Sequence, residues 1–116
     1  MNRNTEPWYA AKCIFRHNDL QAEAENAFVY EERIILLKAE NQDAAIEKAE
    51  EEAREYASGF DNTEFIGYTM SYHLFEENIG HLSEIFSEMR DSDKNPTEYL
   101  DHFYDTGSER AKHNEI

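Results

Sequence analysis

Five histidines (His17, His73, His81, His102 and His113), one cysteine (Cys13) and 26 acidic side chains are the residues here whose types can do chemistry. Imidazole comes first, because its neutral form is the commonest metal ligand and a good general acid or base. No HxH, HExxH or HxxxH pattern occurs, so no spacing sets two imidazoles on one helical face. His73 and His81 flank a short polar turn, and across a hairpin they would approach each other with Glu76 or Glu77 nearby. That donor set, His73, His81 and Glu76, would suit a metal-dependent hydrolase; the plainer reading is of exposed histidines at strand ends.

With 26 acids in 116 residues, close carboxylate pairs arise by chance and carry no signal on their own. Glu31-Glu32-Arg33 is the cluster of most interest, because charges beside an apolar run need solvent or a partner such as Arg16. A salt-bridged sheet face is preferred there to a general acid/base pair. Cys13 would be a nucleophile only with a base or cation to lower its pKa, and its place among core-facing neighbours favours a buried structural thiol. Gly107-Ser108 lacks a nucleophile elbow, and no glycine-rich loop able to cradle phosphate occurs. Serine hydrolysis and nucleotide binding are therefore unsupported, and no cofactor is implied.

Periodicity supplies the elements that must position these groups. Trp8 to His17 alternates, with Tyr9, Ala11, Cys13 and Phe15 as the more apolar set, which predicts a first strand with that set facing the core. Asn18 to Asn26 reads as a polar loop. Phe28 to Ala39 predicts a second strand, and its continuous apolar run Ile34 to Leu37 suits burial on both faces, hence a central place in the sheet. Asn41 is a helix N-cap signal, followed by Ala45, Ile46, Ala49, Ala53, Tyr56 and Ala57 at helical spacing. Ser58-Gly59 offers a residue that accepts positive φ to end that helix.

After a turn at Asp61 to Thr63, Phe65 to Phe75 alternates as a third strand, with Ile66, Tyr68, Met70, Tyr72 and Leu74 on one face. Glu76 to Gly80 is a turn, and His81 to Arg90 reads as a fourth strand in preference to a helix. Asn95-Pro96-Thr97-Glu98 is a helix-start signature, and Asp105-Thr106-Gly107 would stop that helix. The expected architecture is α+β: one antiparallel or mixed sheet of three to four strands in the order β-β-α-β-β-α, with two helices on one face.

A chain of 116 residues and 13.7 kDa fits one domain, with frayed ends expected at about 1–6 and 108–116. One cysteine allows no internal disulfide, and neither a leader nor a long apolar run is evident, so a cytoplasmic location is expected. Eleven basic against 26 acidic residues give a formal charge of −15, and a field of that sign repels nucleic acid and anionic membranes. It would steer a basic protein inward, although acid that merely maintains solubility is the plainer reading.

WYAAK at 8–12, YEERIILLKAENQDAAIEKAEEEA at 30–53 and EIFSEMRDSD at 84–93 together resemble the bacterial family catalogued as domain of unknown function 4288, over roughly Trp8 to Gly107. The resemblance implies a bacterial origin and a compact α+β module; it brings no catalytic residue, cofactor or substrate. Aromatic residues then carry the functional expectation, since they exceed what a small helix-on-sheet core requires, and Tyr and Trp are enriched at protein contacts. Trp8, Tyr30, Tyr68 and Tyr72 are the candidate interface. The expected function is a non-enzymatic interaction module, immunity-like or self-associating, whose partner is a protein, basic in character, or a second copy. A regulatory accessory domain and the metal-dependent hydrolase are the alternatives.

Overall fold

The structure is a computed structural model, and it describes residues 6–22, 25 and 27–104. β1 (Trp8–His17), β2 (Val29–Lys38), α1 (Gln42–Ser58), β3 (Thr63–His73) and α2 (Pro96–Phe103) follow in that order. The three strands form one antiparallel sheet in the order β2-β1-β3. β1 is central because its small residues tolerate neighbours on every side: Ala10 and Ala11 are both fully buried.

Alternation holds along β1. Ala11, Cys13 and Phe15 join Ala49, Ala53 and Ala57 of α1 in the main core cluster, with Ile35, Leu37, Tyr56 and Phe65 packed around them. The alanine stripe lets the helix sit close to the sheet, chiefly over β1 and β3. Asn41 caps α1 as expected, its side chain accepting from the Ala44 N–H at 2.9 Å. Gly59 does not take the expected left-handed form; its φ of −77° continues the right-handed turn, and its N–H closes onto Tyr56 and Ala57 carbonyls.

β2 is an edge strand, not the central one its apolar run suggested. Ile34 and Leu36 project from the face away from α1 and remain 43% and 41% exposed. The apolar run therefore reflects two apolar faces, only one of which α1 covers. β3 starts two residues earlier than Phe65 and ends at His73. Its pairing with β1 shifts between Cys13 and Phe15, where residues 66 to 68 oppose Ile14 alone. Gly67 sits in that bulge at φ +87°, a conformation that side-chain-bearing residues rarely adopt.

The fourth strand expected at 81–90 does not form: that segment is irregular. A turn interrupts it, with Ser83 N–H donating to Gly80 O, Gly80 N–H donating to Ser83 Oγ, and Leu82 held at φ +66°. Ser83 Oγ also donates to Glu76 at 2.8 Å, which fastens the turn from the side. The segment instead crosses the sheet face opposite α1, where Phe86 packs on Tyr72 and lies under the Lys12 ammonium.

α2 begins with the expected capping box between Asn95 and Glu98. It does not share the face that α1 covers. Arg90 reaches it from the crossing segment, its guanidinium 4.1 Å from the Phe103 ring and bonded to the Tyr99 hydroxyl at 2.7 Å. Phe103 and Tyr104 thus line a cleft with Ile14, Tyr68 and Met70, all on the far side of the sheet. The helix stop expected at residues 105–107 and the frayed ends lie outside the described residues, apart from residue 6.

Candidate functional site

Two constellations of polar and aromatic side chains follow from this frame, one on each face of the sheet. On the α1 side, the odd-numbered set of β1 ends in a polar residue. His17 is 8% exposed, with Nδ1 2.8 Å from Thr63 Oγ1 and Nε2 2.8 Å from Glu31 Oε1. A carboxylate only accepts, so in the neutral imidazole Nε2 carries the proton and Nδ1 accepts the Thr63 hydroxyl. Glu31 also accepts from the Tyr56 hydroxyl at 3.0 and 3.1 Å, and the Phe60 ring meets the imidazole edge-on.

Beside it, Arg33 makes a two-pronged bond to Glu52 at 2.6 and 3.0 Å and stacks 3.8 Å from the Tyr56 ring. The Glu52 bond raises the Arg33 pKa further. Burial, and then the Glu31 carboxylate, push the Tyr56 hydroxyl above its usual range, so it stays a donor.

Thr63, His17 and Glu31 have the hydrogen-bond order of a nucleophile, a base and an orienting acid. Both imidazole nitrogens are held, the ring is buried, and the three residues come from β3, β1 and β2, with Tyr56 adding α1. The arrangement is a clamp that satisfies polar groups where three strands and a helix meet. Sequence reasoning missed it, although a histidine in the core-facing register of β1 was the available signal.

Cys13 sits mid-core, its Sγ 3.4 Å from Thr69 Oγ1 and 3.9 Å from Ala49 O. Burial pushes its pKa above the ordinary 9.0, partly offset by the Thr69 bond. A raised folded value means that folding favours the protonated thiol. Its stabilising contribution is complete below the unfolded value and is lost as pH rises through the folded one. Urea midpoints measured from pH 7 to pH 10 should therefore fall from about pH 9 upward, and Cys13→Ala should flatten the start of that fall. An unchanged profile in the variant would remove Cys13 from the account.

The other face belongs to the even-numbered residues of β1 and β2 and to their β3 partners. Trp8, Tyr30, Tyr68 and Tyr72, which come from three different strands, all lie on it. Tyr30 and Tyr68 are 55% and 45% exposed, and Ile66 in the bulge is 44% exposed, so with Ile34 and Leu36 they set exposed apolar side chains on both outer strands of this face, with the paired Lys12 and Glu32 between them. Trp8 carries the Lys38 ammonium 4.9 Å from its ring. Tyr72 is partly covered, its hydroxyl donating to Glu84; that bond raises its pKa.

Lys12 and Arg16 on this face are paired with carboxylates. Lys12 bonds Glu32 at 3.0 Å, and Arg16 bonds Glu64 at 2.7 Å while lying 4.7 Å over the exposed Phe28 ring. The salt-bridged sheet face expected around Glu31-Glu32-Arg33 is present with other partners than Arg16. Alternation sends Glu31 and Arg33 to the α1 side and Glu32 to the open side, which also prevents the two glutamates from working as an acid/base pair. A cleft of about 260 Å³ lies between this face and the crossing segment.

The metal donors named from sequence are not brought together. His73 packs between Tyr9 and Phe75, 5.1 and 4.6 Å between ring centres, and Glu76 is engaged by Ser83. His81 lies in the turn that follows. Among the described residues no three His, Cys, Asp or Glu side chains form a metal-binding group, and no helix is long and apolar enough to cross a membrane.

Comparison with curated proteins and with solved structures finds no match for this chain. A family model does match residues 8–87, from the first residue of β1 into the segment that crosses the open face, and stops before α2. The chain belongs to the family described as Domain of unknown function (DUF4288).

Proposed function

We propose that this chain is a non-enzymatic protein-interaction module whose working surface is the open, aromatic face of the sheet. The observation that carries the reading is the row Tyr30, Ile34, Leu36, Ile66 and Tyr68, exposed together on one face. Large apolar side chains left exposed together on one sheet face in this way often mark a surface that something binds. Flat aromatic rings bury area at small entropic cost, which suits them to be anchors.

Charge supports the kind of partner. Lys12 and Arg16 on the open face are already neutralised by Glu32 and Glu64, while the outward side of α1 carries Asp43, Glu47, Glu51 and Glu55 among the excess that makes the chain −15. A protein with a basic surface and an apolar centre would be steered by that field and held by the rings. An immunity-type role, covering a basic toxin or nuclease in the bacterial cytoplasm, is one form of this reading, and the single buried thiol accords with a reducing compartment.

Affinity capture from the source cells tests it. The wild-type chain should retain a basic protein, with retention weakening as salt rises from about 50 to about 300 mM. Tyr30→Ala with Tyr68→Ala should cut retention by about tenfold or more, since aromatic anchors commonly contribute more than about 2 kcal/mol each. Equal capture by the wild type and by a folded double variant would overturn the assignment of this face.

A further inference from the structure

The free edge of β2 has a separate capability. Ala39 N–H donates to Pro7 O at 3.2 Å, so the odd-numbered residues of β2 turn their backbone groups toward β1. Antiparallel alternation then turns those of Tyr30, Glu32, Ile34 and Leu36 outward. Among the described residues β2 pairs with β1 alone, in an unbroken ten-residue register with no proline and no bulge. The other edge, β3, is interrupted at Ile66 to Tyr68 with Gly67 at positive φ. Bulges of that kind are how proteins discourage pairing at an edge, and β2 lacks one.

We propose that two copies of this chain pair through their β2 edges, antiparallel about a twofold axis at Ile35, to make one continuous six-stranded sheet. The register follows from charge. Symmetric pairing about Arg33 sets two guanidinium groups opposite each other, and pairing about Ile34 sets Glu32 against Leu36 of the second copy. Pairing about Ile35 sets Glu32 against Lys38, Ile34 against Leu36, and both again by symmetry. All these residues turn their backbone groups outward, so Ile34 and Leu36 can exchange two hydrogen bonds, while at the Lys38 end the outward carbonyl also accepts from Lys48 Nζ at 2.8 Å. Glu32 has room to reach across, because its side chain is 60% exposed while bonded to Lys12.

Net charge opposes association, and geometry limits the opposition. α1 lies chiefly over β1 and β3 and meets β2 least. With strands about 4.8 Å apart, the two acidic helices would stand roughly 19 Å from each other. That is about two Debye lengths at physiological salt and less than one at about 0.01 M. The dimer should therefore strengthen as salt rises, opposite in sign to capture of a basic partner. The twofold axis stands perpendicular to the sheet, so both open faces end on one side and their apolar rows become continuous.

Sedimentation equilibrium of the full chain at about 20 and about 300 mM salt tests this. The wild type should approach twice the 13.7 kDa chain mass, more completely at the higher salt. Ile34→Pro deletes one outward N–H without touching the β1 ladder and should leave a monomer with wild-type melting. Should that variant misfold, Glu32→Lys sets like charges against Lys38 and should weaken the dimer about tenfold or more. Adding Lys38→Glu to it should restore the dimer. A wild-type monomer at both salts, a dimer indifferent to Ile34→Pro and Glu32→Lys, or no rescue by the charge swap would each overturn the proposal. The edge stands or falls apart from the open face, which the Tyr30 and Tyr68 double variant reads separately.

Discussion

Phe15→Ala is expected to cost about 3 to 5 kcal/mol, the largest loss of any single truncation in this fold. Phe15 is fully buried on the central strand, against Tyr56 and Phe65 at ring separations of 5.0 and 5.7 Å. The buried α1 residues of the same cluster, Ala49, Ala53 and Ala57, have no longer side chain to swing into the space. Relaxation would have to come from moving the helix, and α1 is pinned by its Asn41 cap and by the Arg33 to Glu52 bond. The cavity should therefore stay open, and such a loss is a large part of the roughly 5 to 15 kcal/mol that holds a domain together. Urea unfolding should show a much lower midpoint with an unchanged slope, and Phe15→Leu should recover most of the loss. A cost under about 1 kcal/mol would mean that the core lies elsewhere.

His17→Ala is expected to be next, at about 2 to 4 kcal/mol, for a different reason. Removing the imidazole strips a partner from both Thr63 and Glu31 and takes away the ring that Phe60 packs against. Glu31 keeps the Tyr56 hydroxyl, so it is not left alone, and this holds the cost below that of an unpaired buried charge. His17→Gln, which retains a donor and an acceptor, should lose less. Thermal melting of the two variants separates the readings: at about 4 to 8 °C per kcal/mol for a domain near this size, Ala should melt far below Gln. Equal and small shifts would show that the clamp contributes nothing to stability.

Elements written in neighbouring residues were legible beforehand. The bounds of β1, the Asn41 cap, the alanine stripe of α1 and the Asn95 to Glu98 capping box all depend on spacings of two to four residues. Period-two alternation also assigned Trp8, Tyr30, Tyr68 and Tyr72 to strands whose registers then set them on one face. What could not be read was which neighbour each strand would have. Ile34 to Leu37 looks the same on an edge strand with an uncovered face as on a central strand covered twice. Leu82, Ile85, Phe86 and Met89 suggested regular structure, whereas the decisive feature was the turn around Ser83. The clamp escaped notice because its members lie 14 to 46 residues apart and meet only through strand pairing.

The open sheet face carries exposed apolar residues that α1 leaves bare and that the crossing segment and α2 cover only in part. Site-specific photocrosslinking interrogates it most directly. A photoreactive phenylalanine analogue at position 30 or 68 should join the chain to a basic partner protein in source cells. The same group at 47 or 51, on the outward side of α1, should give no such adduct. Adducts from the helix positions alone would contradict the account and move the working surface to the other side of the molecule.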